Sequence, residues 1–107
     1  MSKTLEKLVV KAENKGQAIL NGRMWNQYSR DFDELREKYA IENDGKTVTL
    51  RHWGTKTLEI DLASKSVSYW YGESNSDRDS MNFLLGHYGV AGSFRYRPSI
   101  DEFSYNV

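Results

Sequence analysis

The stretch that most restricts this chain runs from Lys46 to Tyr71. Over Lys46–Trp53, Thr55–Leu62 and Ser66–Tyr71, apolar and polar residues alternate with a period of two, and the alternation breaks at Trp53-Gly54 and at Ala63-Ser64-Lys65. Successive side chains of a strand point to opposite faces, so the pattern predicts a three-stranded antiparallel meander with one apolar face. That face collects Val48, Leu50, Leu58, Ile60, Leu62, Val67, Tyr69 and Tyr71, with His52 beside Leu50. The opposite face collects Thr49, Arg51, Trp53, Thr57, Glu59, Asp61, Ser68 and Trp70, polar apart from its two tryptophans.

A sheet with one apolar face needs a cover, and the flanking sequence supplies helical patterns. Leu5, Leu8, Val9 and Ala12 fall at i, i+3, i+4 and i+7, one face of an amphipathic helix, and Asn14-Lys15-Gly16 is a stop signal. An irregular link then leads to Trp25, Tyr28, Phe32, Leu35 and Tyr39, again at helical spacing. Asp31 and Glu34 read as a capping box that starts a second helix near Phe32, and Asn43-Asp44-Gly45 ends it. After the meander, Ser76 and Asp79 read as a capping box for a helix carrying Met81, Leu84, Leu85 and Tyr88, closed by Gly86 or Gly89. Ser93–Arg97 alternates once more and suits a fourth, edge strand ending before Pro98. In the last segment, Ile100, Phe103 and Val107 are the apolar anchors that would hold it on the surface. The expectation is an α+β protein, with a three- or four-stranded antiparallel meander, N-terminal helices and one helix after the sheet packed on it. Residues 1–107 form a single domain in this reading, at a length close to the commonest domain size.

Catalytic signatures are missing. The glycines at 86, 89 and 92 follow a helix and do not open one, no serine sits in a nucleophile elbow, and no His-x3-His spacing occurs. His52 reads as a core histidine and His87 as a residue at a helix C-terminus, where a partly charged ring is favourable. The chain has no cysteine, which rules out disulfides and thiolate metal sites and favours a reducing compartment. Its first residues, MSKTLEKLVV, are not a signal peptide, and no stretch has the roughly 20 apolar residues of a membrane span. A cytoplasmic, non-enzymatic protein without cofactor or metal is the expectation.

What remains is binding surface. Residues 1–30 carry Lys3, Lys7, Lys11, Lys15, Arg23 and Arg30 against Glu6 and Glu13. Residues 31–44 carry Asp31, Asp33, Glu34, Glu37, Glu42 and Asp44 against Arg36 and Lys38. The two segments read either as solvated helix faces or, for the second, as an acidic helix that imitates nucleic-acid phosphates. Arg51, Trp53 and Trp70 on the sheet, with Arg95 on the edge strand, are candidate interface anchors, since Trp, Tyr and Arg dominate such contacts. Arg95, Tyr96 and Arg97 also suit unpaired nucleic acid. The order helix, three strands, helix resembles a double-stranded RNA-binding domain, but Asp77-Arg78-Asp79 stands where those domains carry lysines, and the formal net charge is zero.

The segment 47–85 resembles small domains from phages and mobile elements of Gram-positive bacteria. The resemblance lies in Leu50–Thr57 (LRHWGTKT), the strands at Leu58–Asp61 and Val67–Trp70, and the serines Ser74, Ser76 and Ser80 leading to Phe83-Leu84-Leu85. In size, lack of cysteine and mixed architecture the chain resembles anti-CRISPR proteins. That resemblance implies a non-catalytic inhibitor of a host defence complex, most simply a Cas9-type CRISPR nuclease, acting by occlusion of its nucleic-acid-binding site. Asp31, Asp33, Glu34 and Glu37 would offer the negative surface. A small RNA- or DNA-binding regulator and a self-assembling virion component are the alternatives, and the oligomeric state is open.

Overall fold

The computed structural model describes residues 2–32 and 34–107. Among them the chain forms helix α1 (Ser2–Lys15), strands β1 (Gln17–Gly22), β2 (Trp25–Asn26), β3 (Asp31–Phe32), β4 (Arg36–Asn43), β5 (Thr47–His52), β6 (Thr55–Asp61) and β7 (Ser66–Trp70), and helix α2 (Asn75–Tyr88). Strand β8 (Ser93–Arg97), a short 3-10 turn (Pro98–Ile100) and β9 (Glu102–Asn106) follow. The expected meander is present as β5, β6 and β7, but it belongs to a five-stranded antiparallel sheet in the order β1-β4-β5-β6-β7. The two further strands come from sequence read as link and helix.

Helix α1 follows its pattern. Leu5, Leu8, Val9 and Ala12 are buried, and the helix stops where Gly16 turns left-handed at φ 86 and its amide bonds to the Ala12 carbonyl. The chain then pairs at once as β1, with Ala18 and Leu20 turned to the core side and Ile19 outward.

The second predicted helix is absent among the described residues. Residues 36–43 form β4, paired with β1 on one side and β5 on the other. Tyr39 and Ile41 point to the helices and are 3% and 0% exposed. Arg36, Glu37, Lys38 and Ala40 are good helix formers, but here burial between two neighbouring strands decides the conformation. The Asn43-Asp44-Gly45 turn is real and joins two strands. Asp44 accepts bonds from the amides of Lys46 and Thr47, and Gly45 takes φ 87.

Within the meander, two bulges change which face each side chain meets. One lies between β5 and β6 at Leu50/Arg51, the other between β6 and β7 at Glu59/Ile60. An extra residue inverts the alternation beyond it. Thr57, expected on the polar face, is 1% exposed, with its hydroxyl 3.4 Å from the Leu50 carbonyl. Trp70 pairs with Leu58 and moves to the core side, against Phe94 and Phe103. Tyr69, expected in the core, pairs with Glu59 and lies on the open face beneath the Lys56 ammonium.

Both helices cover the same sheet face. Val48, Leu50, Leu58 and Ile60 meet Val9 of α1 and Met81 and Leu84 of α2 in one core, each fully buried. Each such side chain contributes roughly 1.5–3 kcal/mol. Helix α2 begins two residues earlier than predicted: the cap is Ser74, whose hydroxyl accepts from the Asp77 amide, and the stop is Gly89 at φ 68. The expected edge strand forms, but β8 pairs with β9 as a separate hairpin and not with the main sheet. Asn82 ties it to α2 by bonding both the amide and the carbonyl of Phe94. Of the expected C-terminal anchors, Phe103 packs against the core, while Ile100 and Val107 are 59% and 91% exposed. The Phe103 ring lies so close to Gly72 that a Cβ there would fall inside it.

Candidate functional site

The most constructed part of the surface is a cleft where the β5–β6 turn faces the start of α2. Strand β5 ends at His52 and reverses through Trp53-Gly54, both with positive φ (51 and 83), the pattern of a type I′ hairpin turn. Asn and Gly suit that turn; a tryptophan at its first position is strained, and such residues are held by their surroundings. Here the indole is held by the Arg36 guanidinium, 5.1 Å from its centroid, and the Trp53 amide donates to the Lys38 carbonyl at 2.7 Å.

Across the cleft, the Ser74 cap places Asp77 in the first turn of α2. Its carboxylate meets His52, with Nδ1 and Oδ1 2.6 Å apart, and its second oxygen accepts from the Glu73 amide. Both side chains are over nine-tenths buried. The imidazole stacks on Tyr39, with centroids 4.5 Å apart and planes 10° apart. Burial opposes ionisation of Asp77, but the bonds from His52, the Glu73 amide and the Ser74 cap outweigh it and hold the carboxyl below the ordinary aspartate range. With Asp77 ionised, Nδ1 carries a proton and Nε2 is the ring atom left for the cleft. Tyr39 lies beneath; its buried hydroxyl has no hydrogen-bond partner among the described residues, and burial with the nearby Asp77 and Asp79 keeps it protonated.

Met24, Arg36, Trp53, Thr55, Thr57, Tyr71, Glu73, Ser74 and Ser76 complete the lining of a space of about 410 Å³. An aspartate orienting a histidine is part of a general-base arrangement. No hydroxyl among the described residues bonds to His52 Nε2; Thr57 bonds to a carbonyl and Ser74 caps the helix. Nor do three His, Asp or Glu side chains gather as metal ligands among the described residues.

Beside the cleft, Met24 and Arg36 stand 2.8 Å apart, sulfur to guanidinium, at the base of an arm formed by residues 23–35. Its two-residue strands β2 and β3 pair Trp25 with Phe32, edge to face at 5.2 Å, around a turn in which Asn26 accepts from the Tyr28 and Ser29 amides. Trp25, Phe32 and Leu35 are 57–58% exposed and Tyr28 is 91% exposed. The helical spacing of these residues therefore marks no common helical stripe.

The residues singled out in the sequence are dispersed. Asp31 and Glu34 are exposed at the arm, and Asp33 lies outside the described residues. Glu37 sits in β4 on the open sheet face, where Arg51 bonds to it and to Glu42 at 3.4 and 2.8 Å. The hydrogen bond that Arg51 donates to Glu42 leads in raising the Arg51 pKa above its usual value. No acidic helix exists among the described residues, and Arg51 is committed within its own sheet. Trp53 is in the turn and Trp70 is on the core side, so the two tryptophans share no face. Arg95 is exposed on β8. His52 was legible as a core residue, but its aspartate partner was not: the contact joins residues 25 apart and depends on which of two overlapping Ser-x-x-Asp patterns caps α2.

Comparison of the chain with protein-family models, with curated proteins and with solved structures finds no match. No helix among the described residues is long and apolar enough to cross a membrane.

Proposed function

We propose that this chain is a non-catalytic binding protein that docks on a partner protein through the aromatic arm. The supporting observation is the placement of Trp25, Tyr28, Phe32 and Leu35, all more than half exposed, on a segment that takes no part in the core. Exposed clusters of this kind mark contact surfaces, and Trp and Tyr carry a large share of interface energy. Asp31 and Glu34 border the cluster and suit a partner with basic residues around an apolar recess. The partner class implied by the sequence resemblance is a host defence ribonucleoprotein such as a Cas9-type nuclease, whose nucleic-acid groove is basic. The arm would then occlude the groove by insertion, a role first given to an acidic helix.

The direct test is size-exclusion chromatography of the purified protein with a reconstituted Cas9–guide complex. Co-elution that is lost in the Trp25→Ala/Phe32→Ala variant supports both the partner and the arm. No co-elution removes that nuclease as the target. Co-elution that persists in the double variant removes the arm. A salt-sensitive gel shift with single-stranded nucleic acid, lost when Arg95 and Arg97 become Ala, would replace this reading with that of a nucleic-acid-binding regulator.

A further inference from the structure

We propose that the outward face of α1 holds the phosphate backbone of a nucleic-acid duplex. The site is separate from the aromatic arm and does not depend on its protein partner. Its basis is a row of lysines. Lys3, Lys7, Lys11 and Lys15 fall at i, i+4, i+8 and i+12 of one helix, and all four are exposed. None forms an ion pair among the described residues. A trough of about 640 Å³ runs along them, with Val10 and Asn14 as its uncharged lining and Glu6 as its one carboxylate. The other acidic residue of the helix, Glu13, is bonded to His87 of α2 at 2.9 Å.

The spacing matches a polyanion of regular repeat. Residues four apart stand about 6 Å apart along a helix axis, so the row spans about 18 Å. A strip of that length meets about five phosphates of one duplex strand, at roughly 3.4 Å of rise each. Lysine suits such contacts as a point charge on a flexible stem, which reaches an oxyanion from many angles. The formal net charge of zero does not oppose this, because the charges are segregated. Glu37, Glu42 and Glu59 lie on the open face of the sheet, on the far side from α1. A chain that is neutral as a whole thus presents a basic face.

The composition of the face selects this partner over others. Protein interfaces are depleted in lysine and enriched in Trp, Tyr and Arg, and none of those three lines the trough. A helix that lies on a membrane buries Trp, Phe or Leu in the lipid. Here Leu5, Leu8 and Val9 are buried in the core, and Val10 is the only apolar side chain lining the trough. Unpaired strands are held by aromatic side chains stacked on their bases, and no aromatic lines the trough. The groups present contact phosphates and read no base edges, so binding is blind to sequence.

Fluorescence anisotropy of a short labelled DNA duplex, titrated with the full chain at salt from about 50 to about 200 mM, tests the proposal. The logarithm of affinity should fall against the logarithm of salt with a slope of about −3.5, roughly 0.9 for each of four phosphates. Two duplexes of different sequence should bind alike. Lys7→Gln/Lys11→Gln should weaken binding by about tenfold or more at about 50 mM salt and reduce the slope to about −1.8. Glu6→Gln should tighten binding, and Trp25→Ala/Phe32→Ala should leave it unchanged. Lys7, Lys11 and Glu6 are exposed, so folding does not confound their variants. No binding at about 50 mM salt, a slope unchanged in the double-lysine variant, or an equal loss in Arg95→Ala/Arg97→Ala would each overturn the proposal. Binding to phosphatidylserine vesicles without binding to the duplex would overturn it too, and would assign the row to a membrane surface.

Discussion

The body of the protein and its arm use the same kinds of side chain for opposite ends. In the body, Tyr39, Leu50, Leu58 and Phe94 are at most 3% exposed, each locked between a sheet and a helix or hairpin. In the arm, Trp25, Tyr28, Phe32 and Leu35 are all more than half exposed, and only Trp25 and Phe32 lie on strands, of two residues each. A ribbon that short has no second layer against which to bury anything, and an isolated hairpin is marginal even when longer. Apolar residues in the body specify the fold; in the arm they specify a surface. An apolar residue therefore has no fixed role until its topological position is known.

The contrast can be broken by mutation, and the largest effect belongs to the body. Phe94→Ala should cost about 4 kcal/mol, because Phe94 joins α2 to the C-terminal hairpin and stacks with Tyr105 at 4.7 Å. Denaturant unfolding measures this; a loss below about 1 kcal/mol would show that the hairpin is peripheral.

The next effect belongs to the buried pair that ties β5 to α2. Asp77→Asn should cost about 3 kcal/mol near neutral pH. The sign with pH follows from its lowered folded-state pKa. A carboxyl that is more acidic in the folded state stabilises above its unfolded value of about 3.9, and that contribution is lost as pH falls through the folded value. The gap between the parent protein and the variant should thus narrow below about pH 4, as thermal melts across pH would show. A constant gap would mean that the interaction is not with an ionised Asp77.

Gly72→Ala should cost about 2 kcal/mol, since the added methyl group has to displace the Phe103 ring. Unchanged stability would show that the ring can swing aside.

The smallest effect sharpens the contrast. Trp25→Ala and Phe32→Ala should each shift stability by less than about 0.5 kcal/mol while removing partner binding. If either one unfolds the protein, the arm belongs to the body and the distinction fails.

The same contrast explains what could be read in advance. The period of two between Lys46 and Tyr71 identified β5, β6 and β7 because those strands bury one face only. The pattern misplaced Thr57, Tyr69 and Trp70 because a bulge leaves no mark in a hydrophobicity pattern, only in the pairing of neighbouring strands. Strand β4 was misread because Trp25, Phe32 and Tyr39 share a helical spacing by coincidence: two face each other across a hairpin, and the third belongs to another sheet. A correcting signal was present. Asp44-Gly45 is a hairpin dipeptide, and Tyr39 and Ile41 before it mirror Val48 and Leu50 after it. The cleft was illegible, because His52, Asp77 and Arg36 are brought together only by the way sheet and helix pack.

The packing of Phe103 on Gly72 has a consequence for how the molecule could be disarmed. Gly72 is followed directly by Glu73 and by the Ser74 cap, so β9 braces the segment that forms one wall of the cleft. The turn at Pro98–Ile100, where β9 is joined to β8, is exposed. One cut there by a protease would detach the brace while leaving the sheet and both helices whole. The damage would surface far from the nick, as a loosened grip of Asp77 on His52.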